Sequence, residues 1–149
     1  MDNAIPIDEL DRHGYQYIST LGNGGFGIVM LAKHHIDGQQ YAVKKLLTNQ
    51  PDKQQDILRE IKSLAGLDLP HVITYKTSFI EDDRLYLVME YCPAGTLDEV
   101  ISQGGKIDFE QLITYFLALT KTFVELHRRK IIHHDIKPSN ILIDLGGNP

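Results

Sequence analysis

A short polar segment near the end of the chain carries residue types suited to phosphoryl chemistry. Asp135 is followed by Lys137 two positions later and by Asn140 five positions later, between two apolar runs. An aspartate can accept a hydroxyl proton, a lysine can neutralise a moving phosphoryl group, and an asparagine oxygen can bind magnesium. A polar surface loop is the structural alternative, but it gives no reason for these residues at these spacings. The segment therefore predicts a catalytic loop flanked by short apolar strands.

A glycine-rich stretch near the N-terminus predicts a phosphate-binding turn. It reads Gly22-Asn23-Gly24-Gly25-Phe26-Gly27-Ile28-Val29, with the spacing G-x-G-x-x-G-x-V. Because glycine has no Cβ, the backbone can approach a phosphate closely. The stretch joins two strand-like segments rather than a strand and a helix, so it does not fit a dinucleotide-binding fold. A flexible hairpin turn without a ligand is the alternative interpretation of this motif alone.

Two further charged residues could complete a phosphate site. Lys44 follows Ala42 in a strand, so these two side chains share one face and Lys45 lies on the other. Glu60 comes three residues after Ile57, which places its carboxylate on the apolar face of a helix. A charge there needs a partner, and Lys44 is the candidate. The alternatives are a solvated lysine pair at a strand end and a glutamate that reaches water from the edge of the helix.

In this order, the four elements resemble the eukaryotic protein kinase family. The resemblance covers Tyr15 to Asp144, and Lys137 resembles the serine/threonine version of the catalytic loop. The local sequence of residues 85–92 is similar to that of NIMA-related kinases. The resemblance implies an enzyme that uses ATP and Mg²⁺ to phosphorylate Ser or Thr hydroxyls of a protein substrate. Small-molecule phosphotransferases also have a catalytic aspartate loop, but Lys137 argues against them.

The resemblance also implies a role for each residue that carries it. Asp135 would orient and deprotonate the substrate hydroxyl, Lys137 would stabilise the γ-phosphoryl group, and Asn140 would bind Mg²⁺. Lys44 would bind the α- and β-phosphates and would be oriented by Glu60. Transfer would then proceed in line, by positioning and charge neutralisation.

The nucleotide itself is expected to contact the sheet and the segment that follows it. Met89 resembles the residue at the back of the ATP pocket, and residues 90–92 resemble the hinge that binds adenine. The residues expected to bind ATP are Leu21, Gly22, Asn23, Gly24, Gly25, Phe26, Gly27, Val29, Ala42, Lys44, Glu60, Met89, Glu90 and Cys92.

Two features depart from the family pattern. The catalytic loop reads His133-His134-Asp135 where the family usually has His-Arg-Asp. Because imidazole titrates near neutral pH, His134 supplies no permanent charge, which argues against control by activation-loop phosphorylation. The sequence also contains neither Asp-Phe-Gly nor Ala-Pro-Glu, and residues 144–149 indicate a turn instead. A non-catalytic module that binds ATP or competes for partners is therefore the alternative function.

The elements that position these residues follow from periodicity and turn signals. Strands are expected at 15–21, 28–34, 40–47, 72–80 and 84–91, and helices at 52–65, 97–102 and 109–130. Leu112, Phe116, Leu119, Phe123 and Leu126 trace one stripe on the last helix. The order predicts an α+β fold: a kinase-like N-lobe with a five-stranded antiparallel sheet and one helix, then the first helices and catalytic loop of a truncated C-lobe.

The resemblance divides the chain into an N-terminal extension at 1–14 and a kinase domain at 15–149 that is truncated before the Asp-Phe-Gly motif. Within that domain we expect an N-lobe at 15–91, a hinge at 92–95 and a partial C-lobe at 96–149. The stripe on the helix at 109–129 would have few later residues to cover it. We therefore expect this helix to self-associate or to need a partner.

Composition limits the classes of protein to consider. The 149 residues are 42% hydrophobic and 23% charged, which is typical of a globular domain, and the net charge of −5 argues against nucleic-acid binding. The single cysteine, Cys92, excludes an intrachain disulfide and favours a reducing compartment, the cytoplasm or nucleus. The longest uncharged and mostly apolar run, Leu112 to Thr120, is much shorter than the roughly 18 residues that cross a membrane.

Overall fold

The computed structural model describes residues 5–24, 27–65, 69–132, 135–144, 146, 147 and 149, and it describes the side chains of all of these except 60 and 63–65. The chain divides into two units. The first comprises Met1–Asp68 and Ile73–Tyr91, and the second comprises Leu69–Val72 and Cys92–Pro149. Among the residues so described, no helix has both the length and the apolar character needed to cross a membrane.

An antiparallel sheet of five strands dominates the first unit, which confirms the predicted fold class. The strands are β1 (Tyr15–Gly24), β2 (Gly27–His34), β3 (Gln40–Leu46), β4 (Tyr75–Glu81) and β5 (Arg84–Glu90), and they lie in the order β1-β2-β3-β5-β4. A two-residue turn joins β4 to β5, with Asp82 at φ 48° and Asp83 at φ 58°. Both residues therefore adopt the left-handed conformation that such hairpins require. β4 begins three residues later than predicted.

Two helices cover the sheet, α1 (Ile7–Arg12) on one face and α2 (Pro51–Ala65) on the other. We name the faces after these helices. Residues paired directly across antiparallel strands share a face, so Lys45 and Tyr86 lie on the α1 face, and Lys44 and Leu87 lie on the α2 face. The buried core of the α1 face consists of Leu10, Tyr15, Ile28, Met30, Ala32, Val43, Tyr86 and Val88. That of the α2 face consists of Leu46, Leu85 and Leu87, against Ile57, Leu58, Ile61 and Tyr75.

Helix α1 was not predicted, because six residues are too few to show a helical repeat. Its docking is carried by Leu10, which is fully buried in the core of the α1 face. Arg12 Nε lies 2.7 Å from one carboxylate oxygen of Glu81, and His13 Nε2 lies 3.0 Å from the other. The hydrogen bond with His13 and the charge of Arg12 lower the pKa of Glu81 below its usual range. The segment predicted as an extension is thus packed onto the sheet.

The first turn of α2 is tied to the sheet by a buried amide. Gln54 is 3% exposed, and its Nε2 donates to the carbonyl oxygens of Thr48 and Asp83, each at 2.8 Å. The guanidinium of Arg84 also donates to the carbonyl of Leu47. These contacts join the β3–α2 connection to the β4–β5 turn. Because a buried amide with unpaired donors is costly, Gln54 fixes where α2 begins relative to the strands.

The second unit contains two helices, α3 (Leu97–Ser102) and α4 (Phe109–Arg128), and a 3₁₀ turn at Pro138–Asn140. Thr96 caps α3 in a capping box with Glu99. The prediction of a strand directly after the catalytic loop is wrong. This segment, residues 141–143, forms an isolated bridge between Leu142 and Thr96 instead. A strand needs a longer ladder of paired residues than this one bridge provides.

The predicted stripe on α4 is only partly buried. Tyr115, Ala118, Thr122 and Leu126 form the buried face of the helix. Leu126 belongs to the predicted stripe, but Leu112 is 53% exposed and Phe116 is 65% exposed. The Thr122 hydroxyl lies 3.0 Å from the Ala118 carbonyl oxygen and 3.3 Å from the Pro70 carbonyl oxygen, and it donates its one proton between them. The helix is apolar around most of its circumference, so periodicity alone did not identify which face packs.

Candidate active site

The glycine-rich hairpin is built by the pairing of β1 and β2. Gly24 pairs with Gly27 at its tip, and Gly22 pairs with Val29, with irregular register around Leu21. Gly25 and Phe26, two of the expected ATP-binding residues, lie outside the described residues. Leu21, Asn23 and their neighbours on β1 are exposed.

The described glycines of this hairpin are required for different reasons. Gly27 has φ 150°, and a Cβ there would overlap the carbonyl oxygen of Lys45 on β3. A Cβ built on Gly22 or Gly24 meets no atom within 4 Å. Packing therefore explains Gly27 but not the other two. Space held open above a backbone is what a phosphate would need.

These differences predict separable effects of alanine substitution. Gly27→Ala should lower the free energy of unfolding by more than about 1 kcal/mol, because the left-handed conformation and the Lys45 carbonyl both oppose a Cβ. Gly22→Ala and Gly24→Ala should leave it within about 0.5 kcal/mol but weaken nucleotide binding. Urea unfolding and titration with a fluorescent ATP analogue measure the two properties. Unchanged affinity in both Gly22→Ala and Gly24→Ala would contradict a phosphate-binding role.

Lys44 lies on the α2 face, as the strand alternation predicts. It pairs with Val29 on one side and with Leu87 on the other, and Ala42 pairs with Met89 on the same face. The half-buried Lys44 lines a groove of about 540 Å³ beside α2. The other lining residues are Leu46, Leu47, Thr48, Lys53, Ile57, Ile61 and Leu87. A cation bordered by aliphatic walls can bind an anion that water does not fully screen.

The proposed partner of Lys44 is carried by α2. Glu60 lies on this helix between Ile57 and Ile61, both of which line the groove. Its side chain lies outside the described residues, so the Lys44–Glu60 ion pair stays a prediction. The residue that sequence reasoning missed is Gln54, which anchors the start of the same helix. Its position three residues before Ile57, on the apolar face, was the available signal.

The expected hinge residues take part in local backbone bonds. The Glu90 amide donates to the Thr74 carbonyl at 2.9 Å, and the Thr74 amide donates to a Glu90 carboxylate oxygen at 3.1 Å. The half-buried Cys92 accepts a hydrogen bond at its carbonyl from the Gly95 amide, at 3.3 Å. Glu90 is therefore held in place at the end of β5.

The three polar residues of the catalytic loop meet at one carboxylate. Lys137 Nζ lies 3.0 Å from Asp135 Oδ2, and Asn140 Nδ2 donates to the same oxygen at 2.9 Å. Asn140 Nδ2 also donates to the Asp135 carbonyl at 2.8 Å. The 3₁₀ turn makes this possible, because it brings Asn140 back toward Asp135. His133 and His134 lie outside the described residues.

This loop is held by the segment that precedes α3. The Leu97 amide donates to the Ile141 carbonyl at 2.8 Å, and the Ile143 amide donates to the Gly95 carbonyl at 2.9 Å. Ile143 is buried, whereas the side chains of Asp135 and Lys137 are 56% and 48% exposed. The loop thus presents an accessible carboxylate and ammonium group from an anchored backbone. An exposed ion pair of this kind contributes little stability.

A magnesium ion would find only part of its ligands here. The side-chain oxygen of Asn140 is a suitable metal ligand, because the side-chain nitrogen is the atom that forms the hydrogen bonds with Asp135. Over the described ranges, no group of three or more His, Cys, Asp and Glu side chains could hold a metal. Mg²⁺ commonly uses one or two protein oxygens together with substrate phosphates and water, which fits this single donor.

Comparison with known proteins identifies the family. The protein kinase domain family matches residues 15–148. The chain is 34% identical over 137 residues to the serine/threonine-protein kinase Nek1 of Mus musculus, covering 89% of this chain and 11% of that protein. It is 37% identical over 149 residues to the serine/threonine-protein kinase cds1 of Schizosaccharomyces pombe, covering 95% and 32%. It is 32% identical over 136 residues to Nek5 of Mus musculus, covering 89% and 21%.

The chain therefore belongs to the protein kinase family, among the eukaryotic serine/threonine kinases. The similarity to Nek1 and Nek5 agrees with the resemblance of the local sequence at 85–92 to NIMA-related kinases. The chain spans between about a tenth and a third of the length of these three relatives. The roles of the individual site residues stay predictions.

Proposed function

We propose that this chain carries the ATP-binding and catalytic-loop residues of a serine/threonine protein kinase. The arrangement around the Asp135 carboxylate is the observation that carries the proposal. Lys137 and Asn140 both contact Asp135 Oδ2, so base, cation and amide are already grouped. Such grouping lowers the cost of organising charge during transfer.

The mechanism assigns each side chain a step. Lys44 binds the α- and β-phosphates, and the backbone at Gly22 and Gly24 approaches the phosphate chain. Asp135 accepts the proton of a Ser or Thr hydroxyl of the substrate. The hydroxyl oxygen forms a bond to the γ-phosphorus while the bond between that phosphorus and the ADP oxygen breaks. Lys137 neutralises charge on the transferring group. Mg²⁺, when bound through the Asn140 oxygen, supplies further neutralisation of the phosphates.

A protein substrate and a reducing compartment belong to this proposal. The net charge of −5 supports a protein substrate over a nucleic acid, and the single cysteine supports a cytoplasmic location. The 149 residues alone would bind nucleotide without efficient transfer, because the sequence has no Asp-Phe-Gly to supply the main metal-binding carboxylate. This combines the kinase assignment with the binding-module alternative for the isolated chain.

Nucleotide binding tests the proposal directly. Lys44→Met should weaken binding of a fluorescent ATP analogue at least tenfold, because it removes the cation that meets the phosphates. Lys45→Met is the matched control, because Lys45 lies on the opposite face of β3. This variant should bind the ATP analogue with wild-type affinity. Mg²⁺ should raise the affinity only modestly. Equal affinity of Lys44→Met and wild type would contradict the assignment, and a strong Mg²⁺ requirement would indicate that another carboxylate, such as Asp144, binds the metal.

A further inference from the structure

Two consecutive lysines on β3 raise the question of what decides which one faces the nucleotide. Lys44 lies on the α2 face, and Lys45 lies on the α1 face, where it is 6% exposed. The apolar pattern of β3 does little to determine which of its faces packs against which helix, because both faces carry buried apolar residues. Ala42 and Leu46 are buried on one face and Val43 on the other. A shift of one residue would exchange the faces of every side chain on the strand.

A buried ammonium group on an apolar face needs a partner. Lys45 Nζ lies 3.9 Å from Glu9 Oε1 and 5.7 Å from the centre of the Tyr86 ring. Glu9 is itself largely covered, with 21% of its side chain exposed. The carboxylate and the ring face together offset the desolvation of Lys45.

Glu9 is delivered to this position by contacts that do not involve Lys45. Leu10 anchors α1 in the core, and Arg12 and His13 bind Glu81 at the end of β4. The His13 ring also stacks on Phe79, with centroids 3.9 Å apart. Immediately after the helix, the Gly14 carbonyl accepts a hydrogen bond from the His35 amide at 2.8 Å. The helix is therefore held by contacts of residues 10–14, which directly follow Glu9.

We propose that Glu9 is a positioning residue: by holding Lys45 on the α1 face, it sets the register of β3 that presents Lys44 to the nucleotide. The assignment extends the functional part of the chain to a segment before residue 15, where the family match begins. It rests on the proposed function for the role of Lys44. The prediction about which lysine is covered does not depend on nucleotide.

Chemical modification separates the two lysines. In the wild-type chain, acetic anhydride should acetylate Lys44 and spare Lys45, as read by peptide mass spectrometry. In Glu9→Gln, acetylation of Lys45 should rise at least fivefold and that of Lys44 should fall. Asp8→Asn, at an exposed position of the same helix, is the matched control and should keep the wild-type ratio. A wild-type ratio in Glu9→Gln would overturn the proposal.

The double variant Glu9→Gln, Lys45→Met removes the charge that Glu9 compensates. It should restore wild-type acetylation of Lys44, and it should fold even where Glu9→Gln alone does not. Failure of the double variant to fold, or to recover Lys44 acetylation, would show that Glu9 does not act through Lys45.

An ATP-based acyl-phosphate probe, which transfers its acyl group to a lysine beside the phosphates, then tests the link to nucleotide. The probe should label Lys44 in the wild type and in the double variant. In Glu9→Gln, labelling of Lys44 should be at least fivefold lower. No labelling of either lysine in the wild type would count against the proposed function, and the acetylation ratios would still decide the role of Glu9. Wild-type labelling of Lys44 in Glu9→Gln would overturn the positioning role.

Discussion

No measurable protein phosphorylation is expected from the purified 149-residue chain, although the same preparation should bind an ATP analogue. The residues proposed to position the phosphates and to accept the proton are in its sequence, but the described residues offer Mg²⁺ no cluster of carboxylates. Loss of a single well-oriented charge-stabilising group costs about 10²–10³ in rate in enzymes that stabilise an oxyanion. Lacking a metal-binding carboxylate should cost at least as much, because both transition-state charge and nucleotide geometry depend on the metal.

The measurement is transfer of labelled γ-phosphate from MgATP to a generic protein substrate and to the chain itself. Asp135→Ala is the control, and wild type and variant should both stay at background. Robust phosphorylation by the wild-type chain that disappears in Asp135→Ala would contradict the prediction and would require another carboxylate to hold the metal.

The second large effect concerns association through α4. The face opposite Tyr115, Ala118, Thr122 and Leu126 is apolar and exposed. Its members are Phe109, Ile113, Phe116, Leu117 and Val124, and the two phenylalanines are 75% and 65% exposed. Burying such a side chain contributes roughly 1.5–3 kcal/mol, so several together rival the stability of a small domain, about 5–15 kcal/mol. We therefore expect the chain to be marginally stable and to self-associate through this face.

Replacing both phenylalanines tests this. The double variant Phe109→Ser, Phe116→Ser should shift the chain toward monomer in light scattering at matched concentration, because it removes the two most exposed side chains of the face. Ile36→Ser is the matched control: Ile36 is 90% exposed on the β2–β3 turn and should leave association unchanged.

A variant on the buried face shows the contrast. Leu126→Ala should destabilise the chain by about 2–5 kcal/mol, since it opens a cavity, without reducing association of the folded protein. A wild-type chain that melts cooperatively as a monomer would contradict the prediction, as would undiminished association of the double phenylalanine variant.

Short-range signals were sufficient for much of the fold. The β4–β5 turn consists of two residues, Asp82 and Asp83, and the β2–β3 turn includes Gly38 at φ 69°. Thr96 and Glu99 form a cap within one helical turn. The five strands follow because alternation is a local property of the chain. The motif spacing around Asp135 was equally local, and a single 3₁₀ turn brings Asn140 to it.

Tertiary contacts decided what local patterns left open. Helix α1 is six residues long and is ordered by Leu10, Arg12 and His13, whose partners lie far along the chain. The sequence alone determined the order of elements, the family motifs and the alternation that separates Lys44 from Lys45. Only the packed structure decided that Glu9 compensates Lys45, that Gln54 anchors α2, and which face of α4 is buried. The physical reason is that periodicity reports which residues can share a face, whereas burial depends on the element that comes to cover it.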